Sequence, residues 1–253
     1  MSKEVQTKGT NAVSKNLNDW GVPKMSAKDL VIPKILPLQY MSEKVQNEEG
    51  KYGEFRDTLS NKLFGDLENP FEVIPIVAEK KFTEYTMVPQ KNGGVKREYL
   101  GEVKIIEDAT SSEYNDDLPL RDESKGIERD RVIDFFVLIP EEIESGYCMP
   151  YVLSFRRTSL RAGQKMMTQV YVKNAAAGKV PPATVIQIGG VDKSNDDGSF
   201  VVQDVLPTRP STDAEIAEAF KWFKIIRGGA VKVDDSDVRK QAPEVDLTKQ
   251  KDF

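Results

Sequence analysis

The sequence contains no histidine. Histidine is the commonest general base near neutral pH and the commonest transition-metal ligand. Its absence, beside a single cysteine, removes Ser-His-Asp and Cys-His catalysis and nearly every zinc site. That cysteine, Cys148, also rules out an internal disulfide and suits a reducing cytosol. Next to a strand start it reads as a small buried hydrophobe. No run of about 18 apolar residues exists to cross a membrane, and the charged N-terminus lacks the hydrophobic region of a secretory signal. The glycine pairs in QIGG (187–190) and RGG (227–229) stand outside any GxGxxG or GxxxxGK[ST] context, so no nucleotide loop is expected. VDKSNDDGSF (191–200) lacks the register and closing Glu of a calcium loop and reads as a hairpin turn. These absences predict no cofactor, no metal and no enzyme. Carboxylate–Mg²⁺ chemistry is the catalytic class left open, with Glu107, Asp108, Asp116 and Asp117 as its candidate ligands.

What is present is unevenly spread. The apolar fraction of 39% lies below the globular average, and the deficit falls at the two ends and in one internal stretch. Residues 1–28 are polar with Trp20 as the only large anchor, and predict a flexible N-terminal arm. Residues 107–130 hold nine acidic and three basic side chains, and predict a mobile acidic insertion. Residues 230–253 show no periodicity and predict a flexible tail, which leaves one folded domain over 29–229.

Charge is uneven too. Between Tyr151 and Gly190 stand Arg156, Arg157, Arg161, Lys165, Lys173 and Lys179, with no Asp or Glu. The whole chain has 36 basic and 41 acidic residues, so everything outside that window sums to 30 against 41, or −11. A compact positive patch on a negative chain points to an anionic partner.

The apolar pattern is mainly that of β-strands. DLVIPKILPLQYMSEKV (29–45) carries two prolines that deny a helix interior and a central strand, so an extended edge segment is expected. GEFRDTL (53–59) resembles a short strand. FEVIPIVAEKKFTEYTMV (71–88) reads as two runs, with Pro75 at an edge or bulge, and VKREYLGEVKII (95–106) follows an Asn-Gly turn. RVIDFFVLIP (131–140) is near-continuously apolar and predicts a buried strand, followed by one ending in LSFRR (153–157). From Ser159 the period becomes helical, although Gly163 weakens that helix by about 1 kcal/mol relative to Ala. ATVIQIGG and GSFVVQDVL then predict a hairpin, and Thr212 with Glu215 has capping-box spacing for a C-terminal helix ending at Gly228-Gly229. The order predicts an α+β protein, mainly β: an OB-fold-like five-stranded barrel with an inter-strand helix, an extra C-terminal helix and disordered termini. A β-sandwich with two helices fits the same signals.

Arg157, Arg161 and Lys165 stand at i, i+4 and i+8, one helix face, and Arg156 and Arg157 mark the junction where helix N–H groups favour phosphate. Tyr151 and Phe155 share one face of a regular strand, with Tyr171 beyond. Cations that follow a backbone and rings that stack bases are what single-strand binding requires. The same residues also fit a solvated face paired with the acidic insertion, with Phe155 and Tyr171 in the core. Trp222, near Lys221, Lys224 and Arg227, equally fits stacking or packing.

Four features, DLVIPKILPLQ, LSFRRTSLRAGQKMMTQVYV, the GSFVVQDV strand with its polar lead-in, and the closing Asp252-Phe253, resemble phage-encoded single-stranded DNA-binding proteins over residues 29–230. The resemblance implies an OB-fold that binds single strands through Tyr151, Phe155, Arg156, Arg157, Arg161, Lys165, Tyr171 and Lys173. It also implies a tail whose Asp252 and Phe253 recruit replication proteins, in a host-cell cytoplasm. The tail departs from that family's acidic tails, with six acidic but five basic residues over 230–253. Single-stranded DNA in replication or recombination is thus the expected partner. The alternative is a protein-interaction or virion-structural component whose basic patch docks an acidic protein.

Overall fold

A computed structural model describes residues 30–89, 95–146, 148–195, 198–228 and 231–234. The expected N-terminal arm with Trp20, and the tail end with Asp252 and Phe253, lie outside the described residues. In chain order the elements are β1 (Val31–Ile32), β2 (Lys34–Pro37), α1 (Glu43–Gln46), β3 (Phe55–Asp57), β4 (Leu63–Gly65), β5 (Phe71–Pro89) and β6 (Val95–Lys104). Then come β7 (Arg121–Asp122), β8 (Ile127–Leu138), α2 (Pro140–Glu144), β9 (Tyr151–Arg156) and α3 (Leu160–Met167). α3 runs on through π-helical Thr168–Lys173 into α4 (Asn174–Ala176), and β10 (Thr184–Asn195), β11 (Gly198–Pro210), α5 (Asp213–Gly228) and β12 (Lys232–Val233) complete the order. The protein is therefore mainly β with helices, as the sequence predicts.

The sheet follows the path β11-β10-β5-β8-β9-β2-β3-β4, with β6 on β5 and β7 on β8. Its first five members form a meander β5–β8–β9, and then, after the helix, a hairpin whose first strand returns to pair with β5. That is the strand order of the OB-fold. Where an OB barrel would join its third and fifth strands, β2 instead pairs parallel with β9 and carries β3 and β4 with it. Among the described residues the ladders do not close into a barrel.

The segment predicted as an edge therefore lies inside the sheet. The two prolines fit because the strands they flank are short: Pro33 lies between β1 and β2, where its carbonyl still accepts the Val152 N–H at 2.9 Å, and Pro37 ends β2. Residues 71–88 are one strand rather than two. The register against β8 slips between Pro75 and Val77, so a bulge absorbs the residue that cannot donate.

The seam that the ladders leave is bridged by side chains. The Gln39 side-chain amide donates to the Val201 carbonyl (3.1 Å) and accepts the Val201 N–H (2.8 Å) on the outer edge of β11. Two residues on, the Gln203 N–H donates to Ser159 Oγ at 3.1 Å. Pro207, further along, has no N–H to satisfy. Gly190 allows the wall to fold in this far, since a Cβ there would come within 2.8 Å of the Leu67 and Val201 side chains.

Inside the curve, Ile35, Phe55, Phe71, Phe135, Leu153, Phe155 and Ile188 pack with Met166 and Val170 of the inserted helix. Gly163 is at the contact: a Cβ would lie 2.7 Å from Phe155 Cβ. The glycine read as a weak point of the helix is thus what lets it approach β9.

The outer face carries a second core, in which Ala219 and Ile226 of α5 cover Ile74, Val77, Phe136 and Leu138. α5 starts with the predicted capping box. The Thr212 N–H donates to Glu215 Oε2 (2.6 Å) and the Glu215 N–H to Thr212 Oγ1 (3.3 Å), while Arg209 donates to both Glu215 oxygens.

Replacing Gln39 by Ala removes two hydrogen bonds from the seam, and should lower the urea-unfolding free energy by about 1–3 kcal/mol without changing the slope. The capping box predicts acid sensitivity. The hydrogen bonds from Arg209 hold the Glu215 carboxyl below its ordinary range, against the opposing effect of burial. Its stabilisation is complete above the ordinary carboxylate pKa and is lost as pH falls through the lowered one. Glu215→Gln should flatten that part of the stability–pH curve, and Thr212→Ala should cost about 1 kcal/mol at neutral pH.

Candidate nucleic-acid interface

β9 delivers the predicted patch to the N-terminus of α3, but with its rings turned inward. Tyr151, Leu153 and Phe155 all belong to the inner core. The Tyr151 hydroxyl donates to Glu142 at 2.9 Å, and Phe155 meets Phe135 edge-on at 6.0 Å. Tyr171 is half-buried, and its hydroxyl accepts the Ala78 N–H at 2.8 Å. Burial raises its pKa. The stacking role expected of Tyr151, Phe155 and Tyr171 does not fit this arrangement. The alternation placed Tyr151 and Phe155 together correctly, but both faces of β9 are largely apolar, so the pattern could not say which face is inside.

The charges divide into two groups. Arg157 is exposed, takes φ +48°, and donates from Nε to Asp130 at 2.9 Å. Burial raises the Asp130 carboxyl above its ordinary range, while Arg97 and Arg156 act against that rise. Lys165 reaches Asp204 at 3.1 Å, with both side chains about half exposed. Arg161 and Lys173 are exposed and form no ion pair among the described residues. Because Arg157 lies in a 3₁₀ turn ahead of α3, only Arg161 and Lys165 share the helix face that the spacing predicts for all three.

The acidic segment supplies Asp130 to this patch, and several of its other groups are paired elsewhere. Asp116 pairs with Arg131, Glu107 with Lys80 at 2.5 Å, and the Pro119 carbonyl accepts from Arg129. It was expected as a mobile insertion, but its last residues are the start of β8, and these contacts anchor the rest. Among the described residues no three metal-ligating side chains come together, so Glu107, Asp108, Asp116 and Asp117 do not form a cation site.

Between the helix and β11 lies a groove of about 210 Å³. Lys165 and Lys173 line it, with Ile186, Val205, Leu206 and Pro207 as its apolar surface. Toward the hairpin end of β11, away from the groove, stands an aromatic pair that the sequence reading missed. Tyr40 and Tyr52 are stacked with centroids 4.1 Å apart and planes at 18°, and Tyr40 is 52% exposed. The Tyr52 hydroxyl donates to Asp192 at 2.5 Å. Burial first, then that hydrogen bond, keeps the phenol protonated well past its ordinary pKa. Tyr40 follows Gln39, which docks on Val201, while Ser159 at the head of α3 docks on Gln203. The two attachment points are two strand residues apart, about 7 Å, so the aromatic pair and the cationic helix share the edge of β11.

The outer face of β5, β8 and β9, which usually takes the ligand in this fold, is closed. α5 covers its apolar part. Its polar part is internally paired: Lys81 bonds Asp134 (2.6 Å) and Glu102 (2.5 Å), and Ser154 donates to Asp134 (2.6 Å). Trp222 packs half-buried on this side beside Cys148. Among the described residues no helix is long and apolar enough to cross a membrane.

Cys148 is half-buried, and burial followed by the nearby Glu218 and Glu142 pushes its thiol up to about 11 from 9.0. Only the thiolate is reactive. At pH 8 alkylation should run roughly a hundredfold slower than at an ordinary cysteine, and should accelerate as pH rises toward 11, as thiol-titration kinetics would show.

A family model described as Pam3 phage gp34-like protein matches residues 5–232. No curated protein and no solved structure matches the chain.

Proposed function

The chain belongs to this phage family, and from that premise we propose that it is a non-enzymatic single-stranded DNA-binding protein acting in phage replication or recombination. The observation that carries this reading is the edge of β11, where exposed Arg161, Lys165 and Lys173 run along one helix and the Tyr40–Tyr52 stack, exposed at Tyr40, stands near its head. The OB strand order supports it. Phosphates lie along the helix, where Arg156 and Arg157 add positive charge at its head. A base stacks on Tyr40, whose second face is already backed by Tyr52. The apolar groove between Lys165 and Lys173 gives a further base a place out of water. The ion pair that Lys165 makes on this path is no barrier. Lys165–Asp204 is half exposed, and such pairs are worth at most about 1 kcal/mol, so a phosphate can replace the carboxylate.

A second reading draws on the inward turn of Tyr151 and Phe155. With its rings buried, the strip itself is electrostatic and would also accept an acidic protein. The two readings separate on nucleic acid alone.

Fluorescence titration with labelled oligo-dT should give a log–log salt slope of about −2 for three phosphate contacts, or about −3.5 for five. R161E/K165E should weaken binding alike for all sequences. Tyr40→Ala should weaken it by about 1–3 kcal/mol with the salt slope unchanged, the mark of stacking. Asp204→Asn, which releases Lys165, should tighten it. Binding that ignores salt, or is as tight to duplex, would overturn the reading, and a stoichiometric complex with an acidic protein but no gel shift would establish the second.

A further inference from the structure

α5 carries a second surface of the same chemistry on the other face of the sheet. Its inward stripe, Ala219 and Ile226, is buried, and Phe223 is partly buried beside it. Phe220 points outward at 49% exposure, with Phe223 6.0 Å away, centroid to centroid. Lys224 Nζ lies 5.5 Å over the Phe220 ring, and Arg227 lies 5.9 Å over Phe223. After Glu218 the helix has no carboxylate, but it has Lys221, Lys224 and Arg227.

The helix macrodipole accounts for cations in the last turns. It does not account for a phenyl ring left half in water. A ring face with a cation one turn along is the arrangement that stacks a base and neutralises its phosphate. Position adds to this. α5 covers the apolar part of the face on which an OB sheet usually receives its strand, so its ridge now stands where that face would have met the ligand.

We propose that the outer ridge of α5, formed by Phe220, Phe223, Lys224 and Arg227, is a second single-strand contact, stacking a base on Phe220 and holding the adjacent phosphates with Lys224 and Arg227. This rests on the single-strand reading above, and extends the bound strand from the β11 edge to the opposite face of the sheet.

The test uses the full chain and a dT oligonucleotide of about 30 residues carrying 5-iododeoxyuridine, long enough to reach both faces. Phe220→Ala should weaken binding by about five- to a hundredfold, the range for loss of one stacked base. K224E/R227E should weaken it and reduce the salt slope by roughly 1.4, two contacts at about 0.7 each. Photocrosslinks should map to the peptide containing Phe220 and Phe223. The ring is exposed, so both variants should melt as the wild type does. If R161E/K165E weakens binding while the α5 variants do not, and crosslinks fall only on α3 and β11, this inference is overturned and the single-strand reading stands. If the α5 variants weaken binding and R161E/K165E does not, the inference holds and the β11 placement fails. A wild-type chain that does not bind overturns both.

Discussion

A side-chain amide, that of Gln39, ties the chain just past β2 to the open edge of β11. β11 is the last strand of the OB order, and its outer edge would be an open row of N–H and C=O groups. Gln39 meets Val201 with both its donor and its acceptor, as a neighbouring strand would, and so stands in for one residue of ladder. Several other features depend on that junction. It fixes where the chain turns after β2, and therefore where Tyr40 meets Tyr52. It also leaves the next edge position, Gln203, for Ser159, which sets the height at which the helix enters. The helix then occupies the remaining gap and supplies Met166 and Val170 to the core. The geometry of the candidate site is in this sense a by-product of closing a sheet without closing its ladder.

The same solution closes the face on which this topology usually takes its ligand. With the inner face filled by the helix, the outer face of β5, β8 and β9 still exposes Ile74, Val77, Phe136 and Leu138, and α5 is placed to cover them. Beyond the reach of α5 the face turns polar, and its charges are satisfied in place. Burial works against the charged form of Lys81, yet Asp134 and Glu102 more than offset it and raise its pKa. A buried cation held by two carboxylates is costly to break and offers nothing to an incoming phosphate. The exposed cations on the outer sides of α3 and α5 are not enclosed in this way.

Much of the frame was legible in the sequence, because it rests on local signals. Continuous apolar runs marked β8 and β9, the turn cluster marked the β10–β11 hairpin, and Thr212 with Glu215 marked the start of α5. Pro75 predicted an edge or a bulge, and the bulge is found, since a missing donor has to be absorbed somewhere. What was not legible is long-range. Nothing near Gln39 says that it will meet Val201, 162 residues away, and so nothing marks Tyr40 and Tyr52 as a pair. The prolines at 33 and 37 argued for an edge because the rule treats a strand as long, whereas β2 is only four residues. The inward turn of Tyr151 and Phe155 was hidden by β9 being apolar on both faces. Gly163 was misjudged because propensity considers a helix alone, while its value here lies in the contact with Phe155.

The disposition of the acidic segment bears on how a net negative protein can still present exposed cations beside β11. Its carboxylates could have quenched the basic window, and one of them, Asp130, does take Arg157. Most of the segment is instead tied to neighbouring strands: Asp116 pairs with Arg131, Glu107 with Lys80, and the Pro119 carbonyl accepts from Arg129. Screening in salt acts over about 8–10 Å, so exposed cations on the helix act locally, ahead of the whole chain's excess of carboxylates. The net charge of −5 works against non-specific attraction to polyanions. By taking Asp116 and the Pro119 carbonyl, Arg131 and Arg129 leave fewer groups of the acidic segment to compete for the helix cations.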